Sequence, residues 1–145
     1  MLNLIDSIDW DKYRNDMPYL DIRTALLNLN SDVEVKRKQA LADLENAIEF
    51  SIKLHNTLIL ELVHVLFVVL SLNEFRYANY AIGLLYICGR FTEPMVTDPR
   101  NIKLQNKLKE VICEYLKEYL SLEREELDSN SRDYLSYLVK ICNNE

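Results

Sequence analysis

Apolar residues run almost without interruption over positions 58–72 and recur at helical spacing through most of the remaining chain. Between Leu58 and Leu72 the charged side chain is Glu61, and the run also holds one histidine, His64. A helix that is apolar all round lies either inside a protein or inside a membrane. At about 1.5 Å per residue these positions span roughly 22 Å, short of the roughly 30 Å hydrocarbon core of a bilayer. The pattern predicts a central helix that amphipathic neighbours cover on both sides.

Apolar residues three and four positions apart predict five further helices. Residues 1–20 do not show this spacing, and they are predicted to be an irregular N-terminal segment with a short helical turn that packs Trp10 onto the first helix pair. The five amphipathic helices are predicted at residues 22–29, 33–53, 74–90, 99–122 and 131–142.

Polar residues stand at the predicted helix starts. Asp21 is expected to cap the helix over 22–29, and residues 30–32 are expected to form a turn whose Asp32 caps the next helix. Asn73 is expected to cap the helix over 74–90, and Asp98 precedes Pro99 at a first helical position.

Composition strengthens the helical prediction. The 145 residues include two glycines and three prolines, fewer than a sheet protein of this size needs for its turns. The chain is expected to form one domain, residues 1–145, of the all-α class. Its helices group as 22–29 with 32–53, 57–72 with 74–90, and 99–120 with 131–142. Each pair is too thin to enclose a core, so we expect a short α-solenoid of about three stacked antiparallel pairs; a closed helix bundle is the alternative.

Charge limits the class of partner. The chain has 17 basic and 23 acidic residues, a net charge of −6. This balance argues against binding of a nucleic-acid backbone and allows a basic protein partner, while solubility alone is the more common reason for such a charge.

Three cysteines lie far apart in the sequence. Cys88, Cys113 and Cys142 form no paired motif and are odd in number, so they are expected to be buried reduced thiols. The acidic N-terminus has neither a basic region nor an apolar core of a secretory signal. Both features predict a cytoplasmic protein.

One motif resembles a metal site. Glu61 and His64 have the spacing of the Glu-x-x-His motif in di-iron bundles, which need a second such motif and two more glutamates. The only other histidine, His55, lies at a predicted turn. We therefore expect Glu61 and His64 to satisfy one another, or backbone groups, at the edge of the core. Without a phosphate loop or a nucleophile elbow, no enzymatic activity, cofactor or metal is predicted.

The second helix of the first predicted pair begins with a motif that resembles a known family. Residues 32–44, DVEVKRKQALADL, resemble the second-helix signature of HEAT repeats, and Trp10 with residues 21–41 resembles a bacterial group of short HEAT-like proteins. The resemblance covers about residues 10–90. It implies a protein-binding scaffold of the immunity or adaptor kind, in which the second helix of each pair lines a concave face.

Tyrosine and arginine are the residue types that interfaces favour. Of the nine tyrosines, Tyr115, Tyr119 and Tyr134 fit predicted core stripes, whereas those near Arg76 and Arg90 are candidates for recognition. Together with acidic residues of the helix over 33–53, they form the predicted partner-binding set: Glu34, Glu45, Glu49, Arg76, Tyr77, Tyr80, Tyr86 and Arg90. Packing between helices is the alternative role for the tyrosines, and solvation is the alternative for the charges.

These features predict a non-enzymatic protein-binding module, in its sharpest form an immunity protein that neutralises a basic bacterial toxin domain. Two alternatives come from other classes. One is a nucleic-acid-processing protein like the HEAT-like DNA glycosylases, which requires a continuous basic stripe. The other is a structural subunit that closes an exposed apolar face in a homodimer.

Overall fold

The computed structural model describes residues 2–17, 21–72, 75–93, 99–122 and 127–144. These ranges contain α-helices and 3₁₀ turns and no β-strand, which confirms the all-α prediction. The α-helices are α1 (Leu2–Asp6), α2 (Ile22–Asn28), α3 (Glu34–Leu54), α4 (Leu58–Leu70), α5 (Ala78–Phe91), α6 (Ile102–Leu120) and α7 (Ser129–Cys142).

The N-terminal segment is more ordered than predicted. It forms α1 and a 3₁₀ turn at Trp10–Tyr13. The indole N–H of Trp10 donates to the carbonyl of Ile5 at 2.9 Å, and Ile5 and Tyr13 are buried. Helix α1 packs against α2, and Trp10 is partly buried against the hydrophobic core.

Helix α2 begins where the sequence places its cap. The Asp21 carboxylate accepts the backbone N–H of Thr24 at 3.0 Å and the Thr24 hydroxyl at 2.7 Å. These bonds favour the charged form and lower the pKa of Asp21 below its usual value, the backbone bond having the larger effect.

The start of α3 differs from the prediction. Asp32 does not cap it; Val33 stands at the cap position without a side-chain bond, and Ser31 accepts the backbone N–H of Val33 at 3.1 Å. Asp32 instead forms an ion pair with Arg76, far along the chain. At the other end, α3 stops at His55, which takes the left-handed conformation with φ of 56°.

Helix α4 lies at the centre of the core, as its sequence predicts. It packs against α3, α5 and α6, and apolar side chains all around it are buried. They are Leu58, Ile59, Leu62, Val63, Val65, Leu66, Phe67, Val69 and Leu70. Among the described residues, no helix has both the length and the apolar character needed to cross a membrane.

Helix α5 starts four residues later than predicted, at Ala78 rather than residue 74. The expected cap at Asn73 lies outside the described residues. Phe75 is buried although it precedes the helix, and the backbone N–H of Arg76 donates to the side-chain carbonyl of Asn30 at 2.9 Å. This contact holds the connection in a non-helical path, which the periodicity could not reveal.

The last two helices are close to their predicted positions. A 3₁₀ turn at Pro99–Asn101 leads into α6, while the expected Asp98 cap lies outside the described residues. Helix α7 begins two residues before the predicted start at Ser131, because the Asp128 carboxylate accepts the Ser131 backbone N–H at 2.7 Å.

Helices that are neighbours in sequence are also neighbours in space. The pairs α2–α3, α4–α5 and α6–α7 each pack together, α4 also contacts α6, and α5 also contacts α3 and α7. The middle pair therefore joins the first pair to the last one.

The prediction of three reduced thiols is wrong for two of them. Cys113 of α6 and Cys142 of α7 form a disulfide, with their Cα atoms 5.4 Å apart. They lie 29 residues apart, and only the packing of the two helices brings them together. Cys88 is a buried free thiol, and burial raises its pKa to about 12.

The two glycines of α5 give a matched test of this packing. A Cβ at Gly89 would lie 2.5 Å from Cδ2 of Leu138, whereas a Cβ at Gly83 would meet nothing within 4 Å. We expect Gly83→Ala to raise the free energy of unfolding by about 0.5–1 kcal/mol, because alanine favours the helix. Gly89→Ala should lower the free energy of unfolding by about 1–2 kcal/mol. Leu138 is fully buried, so the cost of overpacking against it exceeds the gain in helix propensity.

Urea unfolding of both variants, followed by circular dichroism, measures the difference. Equal stabilisation by the two alanines would mean that α5 and α7 do not pack as described.

Candidate functional site

A groove of about 370 Å³ opens between α3, α5 and α7, the second helices of the three pairs. Each helix contributes side chains, and the residue before α7 adds its carboxylate. The lining residues are Leu41, Glu45, Asn79, Tyr80, Gly83, Tyr86, Ile87, Asp128, Asn130, Ser131 and Tyr134.

Helical spacing explains how the walls form. Leu41 and Glu45 are four residues apart and therefore share one face of α3. Tyr80, Gly83 and Ile87 are spaced by three and four residues, so they share one face of α5. Because Gly83 has no side chain and its Cβ position has open space around it, it leaves room between the two walls.

Contacts between α5 and α7 hold the third wall in place. The Ser131 hydroxyl donates to the side-chain oxygen of Asn79 at 2.7 Å. The rings of Tyr86 and Tyr134 stack with centroids 4.3 Å apart, and Tyr137 meets the Tyr86 ring edge-on at 5.0 Å. A stacked pair of this kind adds about 0.5–1.5 kcal/mol to the packing of its helices.

The charged side chains among the described residues of the groove are both acidic. Glu45 and Asp128 line it, and the part of the lining that the structure describes includes neither lysine nor arginine. Neither carboxylate forms an ion pair with any described residue. The hydrogen bond from the Ser131 backbone lowers the pKa of Asp128, so this carboxylate stays ionised well below neutral pH.

Three of the predicted partner-binding residues meet in this groove. Glu45, Tyr80 and Tyr86 all line it, and both tyrosines are half-buried. Glu45 of α3 and Tyr80 of α5 therefore face the same groove.

The other two predicted acidic residues lie outside the groove. Glu34 is exposed in the first turn of α3 and pairs with Lys38 at 3.1 Å. Glu49 is exposed one turn beyond Glu45 on the same helix.

Arg76 and Tyr77 do not line the groove; their side chains contact residues of the first helix pair. Arg76 pairs with Asp32 rather than with the acidic residues of α3. The guanidinium carbon of Arg37 lies 3.9 Å from the centroid of the Tyr77 ring, and Arg37 donates to the Ser31 carbonyl at 2.8 Å. Arg76 and Arg37 thus join the connection before α5 to the first pair.

Arg90 lies at the edge of the groove without lining it. It is exposed, and its guanidinium donates to the Tyr86 hydroxyl at 3.3 Å and lies 3.9 Å from the Glu93 carboxylate. The hydrogen bond to Tyr86 raises the pKa of Arg90, so the side chain is always charged.

Sequence reasoning missed Asp128 and Tyr134. Asp128 lies between the helices predicted at 99–122 and 131–142, and Tyr134 was assigned to a core stripe. Tyr134 is half-buried and lines the groove. Aspartate just before a run of apolar residues at helical spacing is an N-cap signal that could have found the first of them.

The expected contact between Glu61 and His64 is wrong, because each has a different partner. Glu61 accepts the ammonium of Lys12 at 2.8 Å and the hydroxyl of Tyr13. His64 shares a hydrogen bond with the hydroxyl of Tyr115. In the described ranges, no group of three or more His, Cys, Asp or Glu residues could hold a metal ion.

A second cavity, of about 410 Å³, lies beside the N-terminal segment. Two of its carboxylates form ion pairs, Asp6 with Arg23 and Asp11 with Arg14. Asp9 and Asp21 accept backbone N–H groups as helix caps. Both arginines line this cavity, whereas no lysine or arginine is among the described residues that line the groove between α3, α5 and α7.

Comparisons with known proteins give this site no precedent. The chain matches no protein-family model, no curated protein and no solved structure.

Proposed function

We propose that this chain is a non-enzymatic protein-binding module whose α3–α5–α7 face receives a basic protein partner. The observation that carries the proposal is the tyrosine-lined groove with two carboxylates that form no ion pair with a described residue. Tyrosines supply contact area at low entropic cost, and the carboxylates attract and orient a cationic partner.

The architecture proposed for this module is a short HEAT-like stack of three helix pairs. Its support is the order of packing, in which the middle pair joins the outer two and the three second helices line one groove. A closed bundle would bring α2 against α6 or α7, whereas the main contacts of α2 are with α1 and α3.

In the sharpest form of the proposal, the module is an immunity protein that binds and blocks a basic toxin domain. The net charge of −6 supports it, because long-range attraction accelerates the association of oppositely charged proteins.

The disulfide bears on the proposed compartment. Disulfides persist in oxidising environments and are rare in the cytosol. Because Cys113 and Cys142 are joined, we place the module's action in an oxidising compartment in preference to the expected cytoplasm.

Co-expression with a toxin encoded by the neighbouring gene tests the function. We expect a stable complex on size-exclusion chromatography and protection of the host cell. Glu45→Lys should weaken the complex at least about tenfold, because it places like charge against the partner.

Glu114→Lys is the matched control, since Glu114 is exposed on α6 outside the groove. Its effect should stay within about twofold, as for a remote surface charge. Absence of both complex and protection would refute the immunity function, and equal effects of the two reversals would refute the proposed face.

A further inference from the structure

We propose that the groove between α3, α5 and α7 seats a single arginine side chain of the partner. Its guanidinium would lie against the tyrosine walls within reach of the Glu45 and Asp128 carboxylates. The inference rests on the proposed function, because it names the group by which the partner is recognised.

Charge is the first reason for a cationic occupant. Two carboxylates and no lysine or arginine are among the described residues that line the groove, and neither carboxylate forms an ion pair with a described residue. Arg132, outside this lining, lowers the pKa of Asp128 through its charge without forming an ion pair with it. Asp128 is held ionised by its bond to the Ser131 backbone. One of its oxygens serves that bond, so the other can accept a donor from a ligand.

Shape is the second reason. The volume of about 370 Å³ falls within the range of about 300–1,000 Å³ typical of small-ligand sites, so it accommodates a whole long side chain. Tyr80, Tyr86 and Tyr134 supply aromatic surface, and the missing side chain of Gly83 leaves the space between them.

The chain itself shows why arginine fits better than lysine. Arg37 stacks at 3.9 Å on the Tyr77 ring and at the same time donates to the Ser31 carbonyl. A planar guanidinium can stack and donate together, whereas an ammonium is a compact and more strongly hydrated charge. The groove offers the same combination of aromatic rings and oxygen acceptors.

The experiment uses the purified, oxidised chain and three blocked tripeptides, Gly-Arg-Gly, Gly-Lys-Gly and Gly-citrulline-Gly, titrated by NMR. We expect saturable shifts of the Asn79, Gly83 and Tyr86 amides with the arginine peptide. The lysine peptide should bind at least about threefold more weakly. The uncharged citrulline peptide should bind at least about tenfold more weakly, because it loses the charge-assisted hydrogen bonds.

Two variants test the position of the side chain. Gly83→Leu should abolish binding by filling the groove, because the Cβ position of Gly83 opens into free space. Its circular dichroism and urea midpoint should match those of Gly83→Ala, which separates loss of the groove from loss of the fold. Glu45→Gln should weaken arginine binding about fivefold at low salt, while Glu114→Gln, outside the groove, should leave it unchanged.

Equal binding of the lysine or citrulline peptide, shifts confined to another face, absence of saturable shifts, or full binding by Gly83→Leu would each overturn the inference. These failures differ from failure of the proposed function. If the protein complex forms as well with Gly83→Leu as with the parent chain, only the proposal of an arginine subsite is refuted. If the arginine peptide binds but no protein complex forms, only the proposed function is refuted.

Discussion

Replacing Leu62 with alanine is expected to lower the free energy of unfolding by about 2–5 kcal/mol. Leu62 is 1% exposed in α4, and that helix packs against three others. The loss combines the hydrophobic transfer energy of the missing atoms with the cost of the cavity that they leave. Because small domains have a total stability of about 5–15 kcal/mol, a loss of this size brings the protein close to unfolding.

Leu54→Ala provides the control, since Leu54 is 43% exposed at the end of α3. Its effect should stay below about 1 kcal/mol, as expected where little apolar surface is buried. Urea midpoints for the two variants should therefore be well separated. Similar midpoints would show that α4 is not the interior of the fold.

Loss of the Cys113–Cys142 disulfide is expected to lower the free energy of unfolding by about 3–4 kcal/mol. The bond closes a loop with a sequence separation of 29 residues, and reducing it restores the chain entropy that this loop removes from the unfolded state. Thermal unfolding with and without reductant measures the change. The Cys113→Ala/Cys142→Ala double variant should unfold at one temperature in both conditions.

Thiol titration of the denatured chain provides an independent check. One of the three cysteines should react before reduction, because Cys88 is the free thiol, and all three should react afterwards. Three reactive thiols in the oxidised, denatured protein would contradict the bond.

The helices were predictable where their own residues determine them. Helix α4 is apolar on every face, and Asp21 supplies both the cap and the boundary of α2. The start of α5 was not predictable, because Asn30 binds the backbone of Arg76 from 46 positions away. The disulfide was unpredictable for the same reason, since its two cysteines meet only through the packing of α6 on α7.

The candidate site was predictable only where helical spacing identifies the residues that line it. Glu45, Tyr80 and Tyr86 lie on faces that the predicted helix pairs leave outside the core, and the fold brings these faces together. Arg76 does not line the groove and forms an ion pair with Asp32, a contact between residues 44 positions apart that helical spacing does not reveal. Asp128 was missed because an acidic stretch does not show which carboxylate begins the next helix.

The contact of Lys12 and Tyr13 with Glu61 ties the beginning of the chain to its innermost helix. A shortened version that starts at α2 would leave a half-buried carboxylate on α4 without either of its donors, and it would uncover the apolar surface beneath Ile5. Helix α1 and the 3₁₀ turn therefore stabilise α4, and grafts or fusions of this domain should retain both.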